Sequence, residues 1–304
     1  MNKTILIAFC LIASTLCFAQ RTTRVQANAI TRDHITALAP SSIGLGFDLS
    51  KNEISTNYQQ QNETDWQLDI WKVWEKTKEN SEQNEVFGNL ITFYSDAASA
   101  KKALQQFASV SSGITLKTYN DKVIGDLCRA SGYGGGFHFV VGRCCVNIST
   151  QIRQRHIVEA LAYTIWFRLL SQPEISAAKV TRTSVQFDTT RLVGKDAPIK
   201  LGKTLYLPLS AWRKIGVTVN KNPQSELFEL TYKGKTLVLS PYSEMLRAGE
   251  RAVKSETAIF VEREDDGVPI EPIAAALGIR LVKLGTQTTM VKPLPLPTQT
   301  ETKQ

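Results

Sequence analysis

"YLPLSAWRKIGVTVN" (residues 206–220) and "GVPIEPIAAALGIRLV" (residues 267–282) write one order of residue types twice. Each runs from an apolar residue into Pro, through a short stretch with one apolar face, to Gly and a β-branched run. Pro208 and Pro269 suit a first helical turn, where the missing N–H would have no acceptor in any case. Leu209, Trp212 and Ile215 then share a face in the first stretch, and Ile270, Ile273, Ala274 and Leu277 share one in the second. Gly216 and Gly278 fit the left-handed position that ends a helix and turns the chain into a strand. Pro208 to Pro269 is 61 residues and Gly216 to Gly278 is 62, a near-constant interval that predicts a duplication. A hairpin is expected after each copy, over "LFELTYKGKTLVL" and over "KLGTQTTMV".

As "GKTLYLPLSAWRKIG" and "AIFVEREDDGVPIEPIAAALGIRLV", the two stretches resemble the copper amine oxidase N-terminal-like domain, also called the stalk domain. That family shows a strand, "vPl", a short helix, "lG" and another strand. The resemblance spans residues 198–292, under a third of the chain, and departs at residues 262–266, where the family runs directly into "vPl". In copper amine oxidases this module stands away from the catalytic domain. The resemblance therefore implies an architecture and an exported setting, with no reaction and no cofactor attached.

Composition agrees with export. "MNKTILIAFCLIASTLCFAQ" has one Lys, an apolar core and small residues, Cys17 and Ala19, at the two positions a signal peptidase reads, which predicts a signal peptide over residues 1–19. Its apolar run is shorter than the roughly 20 residues a membrane-spanning helix needs, and no later stretch supplies one. The formal charge is +8, or +7 without Lys3, a balance that suits anionic surfaces rather than, for an exported chain, nucleic acid. Cys128, Cys144 and Cys145 remain after the leader. In an oxidising compartment Cys128 is open to pairing with one member of the adjacent pair, since neighbours on a strand face opposite ways.

Residues 20–40 read as a flexible lead-in and 41–170 as an α+β domain of unknown ligand. Trp66, Leu68 and Ile70 alternate with polar residues along one expected strand, with Lys72 placed in the other register. "NEVFGNLITFYSD" is a second strand ending at Asp96, a helix N-cap for "AASAKKALQQF". "GFHFVVG" and "CCVNIS" form a hairpin around Gly142-Arg143, and a long helix closes the domain with Ile157, Leu161, Ile165 and Leu169 on one face. The expected fold class is α+β: an antiparallel sheet with helices on one face, then a small α+β stalk-like module of two similar copies. Residues 171–197 read as a connector, 198–292 as the stalk-like domain and 293–304 as a disordered Pro-rich tail.

Candidate chemistry is sparse. His34, His138 and His156 share no metal-ligand spacing, so no metal site is expected. Cys144 or Cys145 with His138 or His156 would make a nucleophile pair if the fold brought them together. "GYGGGF" (132–137) leads into a strand and lacks the ending of a phosphate loop, so it reads as a hairpin loop. The acidic run 262–266 lacks the alternation of a calcium loop and reads as a solvated turn. Trp66, Trp71 and Trp74 would form a sugar-stacking shelf if they faced solvent, and core if they did not. The resulting expectation is an exported, non-catalytic binding or spacer protein at the bacterial cell envelope: periplasmic, cell-surface or secreted. Its partners would be envelope polysaccharide, an anionic surface or another envelope protein. The alternative is an exported enzyme with a Cys/His site in the N-terminal domain.

Overall fold

The computed structural model describes residues 30–56, 66–77, 85–110, 114–115, 124–131, 136–150 and 155–297. The expected leader (1–19), the start of the lead-in (20–29), most of the glycine run (132–135) and the end of the tail (298–304) lie outside the described residues.

A short helix α1 (Arg32–Thr36) precedes the first sheet. Strands β1 (Asp48–Thr56), β2 (Trp66–Lys76) and β3 (Glu85–Tyr94) follow as an antiparallel meander. Helix α2 (Ala97–Val110) comes next, and Asp96 caps it by accepting from the Ser99 N–H at 2.8 Å. Strands β4 (Ile114–Thr115), β5 (Leu127–Ser131), β6 (Gly136–Val141) and β7 (Cys144–Thr150) complete seven strands in the order β1-β2-β3-β7-β6-β5-β4. β6 and β7 form the expected hairpin, with Val141 opposite Cys144 across Gly142 and Arg143.

Helix α3 (Arg155–Ser171) is buried on every side from Ile157 to Leu170. Such a helix belongs inside a molecule. It packs on β6 of the first sheet and on strands of the other two, so it is a central pillar shared by the three sheets and not only the closing helix of the first domain. The two large helices lie on opposite faces of the first sheet. α3 joins the core containing Phe139 and Val146, while α2 covers Val140 and Cys145 on the other side. This corrects the expectation of helices on one face.

After α4 (Pro173–Ser176) comes β8 (Lys179–Phe187), then β9 (Thr190–Leu192), β10 (Ile199–Leu201) and β11 (Thr204–Pro208). A 3₁₀ segment (Leu209–Ile215) leads to β12 (Thr218–Lys221), β13 (Phe228–Tyr232), β14 (Lys235–Leu239), β15 (Ser243–Ala248) and β16 (Arg251–Ile259), a sheet in chain order. β17 (Gly267–Pro269), α5 (Ile270–Leu277) and β18 (Leu281–Met290) return to the second sheet, ordered β17-β11-β10-β8-β18 with β9 beside β8. The molecule is therefore α+β but mainly antiparallel β, in three sheets.

Three expected boundaries give way. Ile35, Leu38 and Ile43 are fully buried, so residues 30–43 belong to the core and are not a loose lead-in. β8 falls in the expected connector, yet it is the strand that joins β10 to β18. The Leu294 N–H donates to the Glu174 carbonyl and its own carbonyl accepts from Arg143, so the tail docks over residues 293–297. The hairpin expected over "KLGTQTTMV" is instead one continuous strand, β18, which absorbs a bulge between Lys283 and Gly285. One apolar cluster runs from Ile35 through the first sheet and α3 to Tyr206, Tyr242 and Phe260. Gly267 marks how tightly the parts fit: a Cβ there would stand 2.3 Å from the Phe167 ring of α3.

Candidate functional site

Strand alternation separates the adjacent cysteines. Cys144 points into the main core and Cys145 toward α2. Cys128 shares the inner face with Cys144, but β6 stands between their strands. Two strand spacings hold β5 and β7 about 9–10 Å apart, beyond the roughly 7 Å a disulfide tolerates. Cys128, Cys144 and Cys145 are accordingly thiols, none bridged to another, and the pairing considered from sequence is not made.

Cys145 and His138 do share the α2 face on neighbouring strands, since Val140 is opposite Cys145 and His138 opposite Asn147. Their environment works against nucleophilic chemistry. Burial pushes the Cys145 thiol up to about 12, with Asp69 adding to the effect. Burial also pushes the His138 imidazole down to about 4. A catalytic pair needs the opposite, a stabilised thiolate beside a basic imidazole. Cys144 is driven up further, by burial foremost. His34 and His156 are exposed on α1 and α3, away from this face. Among the described residues, no group of three or more His, Cys, Asp or Glu side chains is placed to hold a metal.

The acidic run is the largest departure from the sequence reading. Asp265 stays in solvent and Glu264 pairs with Arg213 at the surface, but Glu262 and Asp266 turn inward and form a buried junction. Arg168 of α3 donates through Nε to Asp266 at 2.6 Å, and through Nη2 to Asp266 and Glu262, both at 2.9 Å. Its Nη1 reaches the Ala37 carbonyl. Glu262 accepts from the Ser41 and Ser42 N–H groups at 2.8 and 2.9 Å, and from the Ser41 hydroxyl. The main chain of the same loop accepts from the N–H groups of Leu209 and Ser210, which open the 3₁₀ segment. Burial alone would raise the Glu262 carboxyl, but these donors outweigh it and hold it below the usual carboxylate range. Burial would likewise lower Arg168, and the two carboxylates reverse that. Lys72 follows Leu68 and Ile70 on the inner face of β2, correcting its expected register, and donates to the Ala39 and Pro40 carbonyls at 3.1 and 2.9 Å. Burial pushes its ammonium down to about 8. With these partners satisfied, the junction is a structural latch.

Two surfaces stand out among the described residues. α2 covers the β5–β7 half of the outer face, while the β1–β3 half presents Trp71, 43% exposed, with Val73 and Leu90 partly exposed beside it. Lys51 sits with its ammonium 3.5 Å from the Trp71 ring centroid and pairs with Glu53 at 3.1 Å. Trp74, three residues on, faces inward, packs edge-on to Phe87 and donates to the Ser41 carbonyl. The three tryptophans therefore form no continuous shelf: Trp71 faces solvent, Trp74 is core, and the Trp66 side chain lies outside the described ones. The second opening is a cleft of about 450 Å³ lined by Lys203, Lys254, Lys283, Glu256 and Glu271. Lys283 and Glu271 already pair across it at 3.0 Å.

The landmark residues of the repeated order sit where helix caps belong. Gly216 and Gly278 both adopt the left-handed conformation, at φ 84° and 75°, directly after the 3₁₀ segment and α5. Pro208 and Pro269 are the residues before each, one place earlier than a first helical turn. Compared with models of known protein families, with curated proteins and with solved structures, the chain matches none.

Proposed function

We propose that this is an exported, non-catalytic binding or spacer protein of the bacterial cell envelope. In this reading the first sheet carries the ligand, and residues 198–292 are a copper amine oxidase N-terminal-like module of two similar copies. Two features support the copies. β11 and β17 lead into the paired Pro-to-Gly segments, and they lie antiparallel with Tyr206 opposite Pro269 and Pro208 opposite Gly267. Both segments bury their apolar face in one cluster. Downstream the copies diverge, because β12 opens the third sheet whereas β18 closes the second.

The observation that carries the binding role is Trp71, 43% exposed, beside Lys51 on the half of the sheet face that α2 leaves uncovered. An exposed indole stacks on a sugar ring, and an adjacent ammonium pairs with a uronate or phosphate on the same polymer. The ligand class this favours is acidic envelope polysaccharide. Opposing the enzyme alternative, Cys145 and His138 are each held in the uncharged form by burial. Titration of the full chain with an acidic wall polysaccharide tests the reading. Trp71→Ala should weaken binding about fivefold to tenfold, the scale of one aromatic contact. Equal binding by wild type and variant, or none by either, removes the basis for the site.

A further inference from the structure

Among the described residues β18 is an outer strand, bonded along one side only, to β8. From Val282 to Met290 every residue on it is exposed. Such an edge offers a row of main-chain N–H and C=O groups, and proteins normally blunt it with charge, bulges or brevity. The other edges of this molecule follow that rule. β1 carries Asp48, Lys51 and Glu53 with a bulge between Leu49 and Lys51, and β16 carries Arg251, Lys254 and Glu256. β4 and β17 are two and three residues long and β12 four. β18 breaks it. Residues 284–291 hold no charged side chain and no Pro, and Leu284, Met290 and Val291 stand exposed among them.

The main chain decides what can be added. Thr183 of β8 donates its N–H to the Pro198 carbonyl, on the side away from β18. Thr183 lies opposite Thr286, so that pair exchanges no main-chain bonds and the Thr286 N–H and C=O turn to the open edge. By the two-residue alternation those of Thr288 turn the same way. The side chains of these pairs meet in a threonine ladder, Thr183 to Thr286 at 3.1 Å and Thr181 to Thr288 at 3.0 Å.

We propose that a second copy of this chain docks here, β18 against β18, antiparallel about a twofold axis at Gln287. In that register Thr286 faces the partner's Thr288 and the two exchange both main-chain bonds, using the groups already turned outward. Leu284 faces the partner's Met290, an apolar pair, and each threonine row runs on across the axis into the other copy. A twofold contact sets the same patch against itself, and in this register the paired stretch 284–290 holds no charged side chain, so no like charges are brought together. A charged edge such as β1 would repel its own copy at some of these positions.

Sedimentation of the full chain over a range of concentrations should show a reversible dimer. Gln287→Lys places two ammonium groups across the axis and should weaken dimerisation at least tenfold. Its melting temperature should match wild type in the monomer range, because Gln287 is exposed. Under mild oxidation Gln287→Cys should give a covalent dimer absent from wild type, since residues directly opposite have Cα atoms about 4.5–5.5 Å apart. Thr289→Cys should not, because four residues of stagger set its two copies about 14 Å apart. A monomer at every concentration overturns the proposal. So does a dimer that survives Gln287→Lys, or one that cross-links through position 289 in preference to 287.

Discussion

Arg168 shows how far one side chain can reorganise the meaning of a sequence. Its guanidinium is 2% exposed, and Asp266 opposite it is fully buried. Removing one partner of such a pair leaves a charge in a dry site, at a cost of about 3–5 kcal/mol. Arg168→Met should destabilise the fold by that amount in urea titration, and adding Asp266→Asn should recover part of the loss. Additive losses in the double variant would contradict a coupled pair. His138 gives a second test, in pH. Burial sets its folded pKa near 4, below the ordinary 6.5, so between those values the unfolded chain binds a proton that the folded chain refuses. Stability from this group is full above about pH 6.5 and falls with acidification through the window, by about 2 kcal/mol from pH 7 to 5. His138→Gln should flatten that part of the profile; an unchanged slope would show that another group controls it.

At the scale of elements, the repeated Pro-to-Gly segments make the sharpest comparison. A β-branched residue is strained at positive φ wherever it sits, by about 1–3 kcal/mol. At Gly216 a new Cβ would meet only the Tyr232 ring at 3.9 Å. At Gly278 it would meet the Lys235 ammonium at 2.6 Å, the free end of a flexible side chain that can swing away. Backbone strain therefore dominates at both, and Gly216→Val and Gly278→Val should lower the melting temperature by similar amounts. A loss at only one of them would mean that the two segments are not equivalent.

At the scale of the molecule, residues 198–292 are not a free-standing unit. Tyr206 stacks on Tyr163 of α3 at 5.7 Å, Thr164 donates to the Phe260 carbonyl, and Tyr242 donates to the Ile43 carbonyl at 2.5 Å. β8, which lies before residue 198, joins β10 to β18. Expressed alone, residues 198–292 should lose β8 and expose the side chains that pack on α3, among them Ile199, Leu201, Tyr206, Tyr242 and Phe260, and show no cooperative thermal transition, whereas the full chain should melt in one. A sharp transition from the fragment would restore the two-domain reading.

Local order was legible in the sequence wherever one residue's backbone demand or a short apolar period decides it. The strands at Trp66 and Glu85, the Asp96 cap, the β6–β7 hairpin and the glycine ends at 216 and 278 are of this kind. So was the parting of Cys144 from Cys145, because adjacent residues on a strand face opposite ways. Partnership was not legible. Nothing local tells a solvated "EREDD" from one that meets an arginine 94 residues earlier, and a strand such as "VTRTSVQF" resembles a linker until two neighbours claim its edges. The open patch at Trp71 was half visible, as a tryptophan cluster whose facing could not be known before α2 took the other half of the sheet. The sequence by itself determined where the chain turns, because φ preference and side-chain alternation act within a few residues. Only the tertiary structure decided what is buried, because burial depends on which distant surfaces remain to be covered.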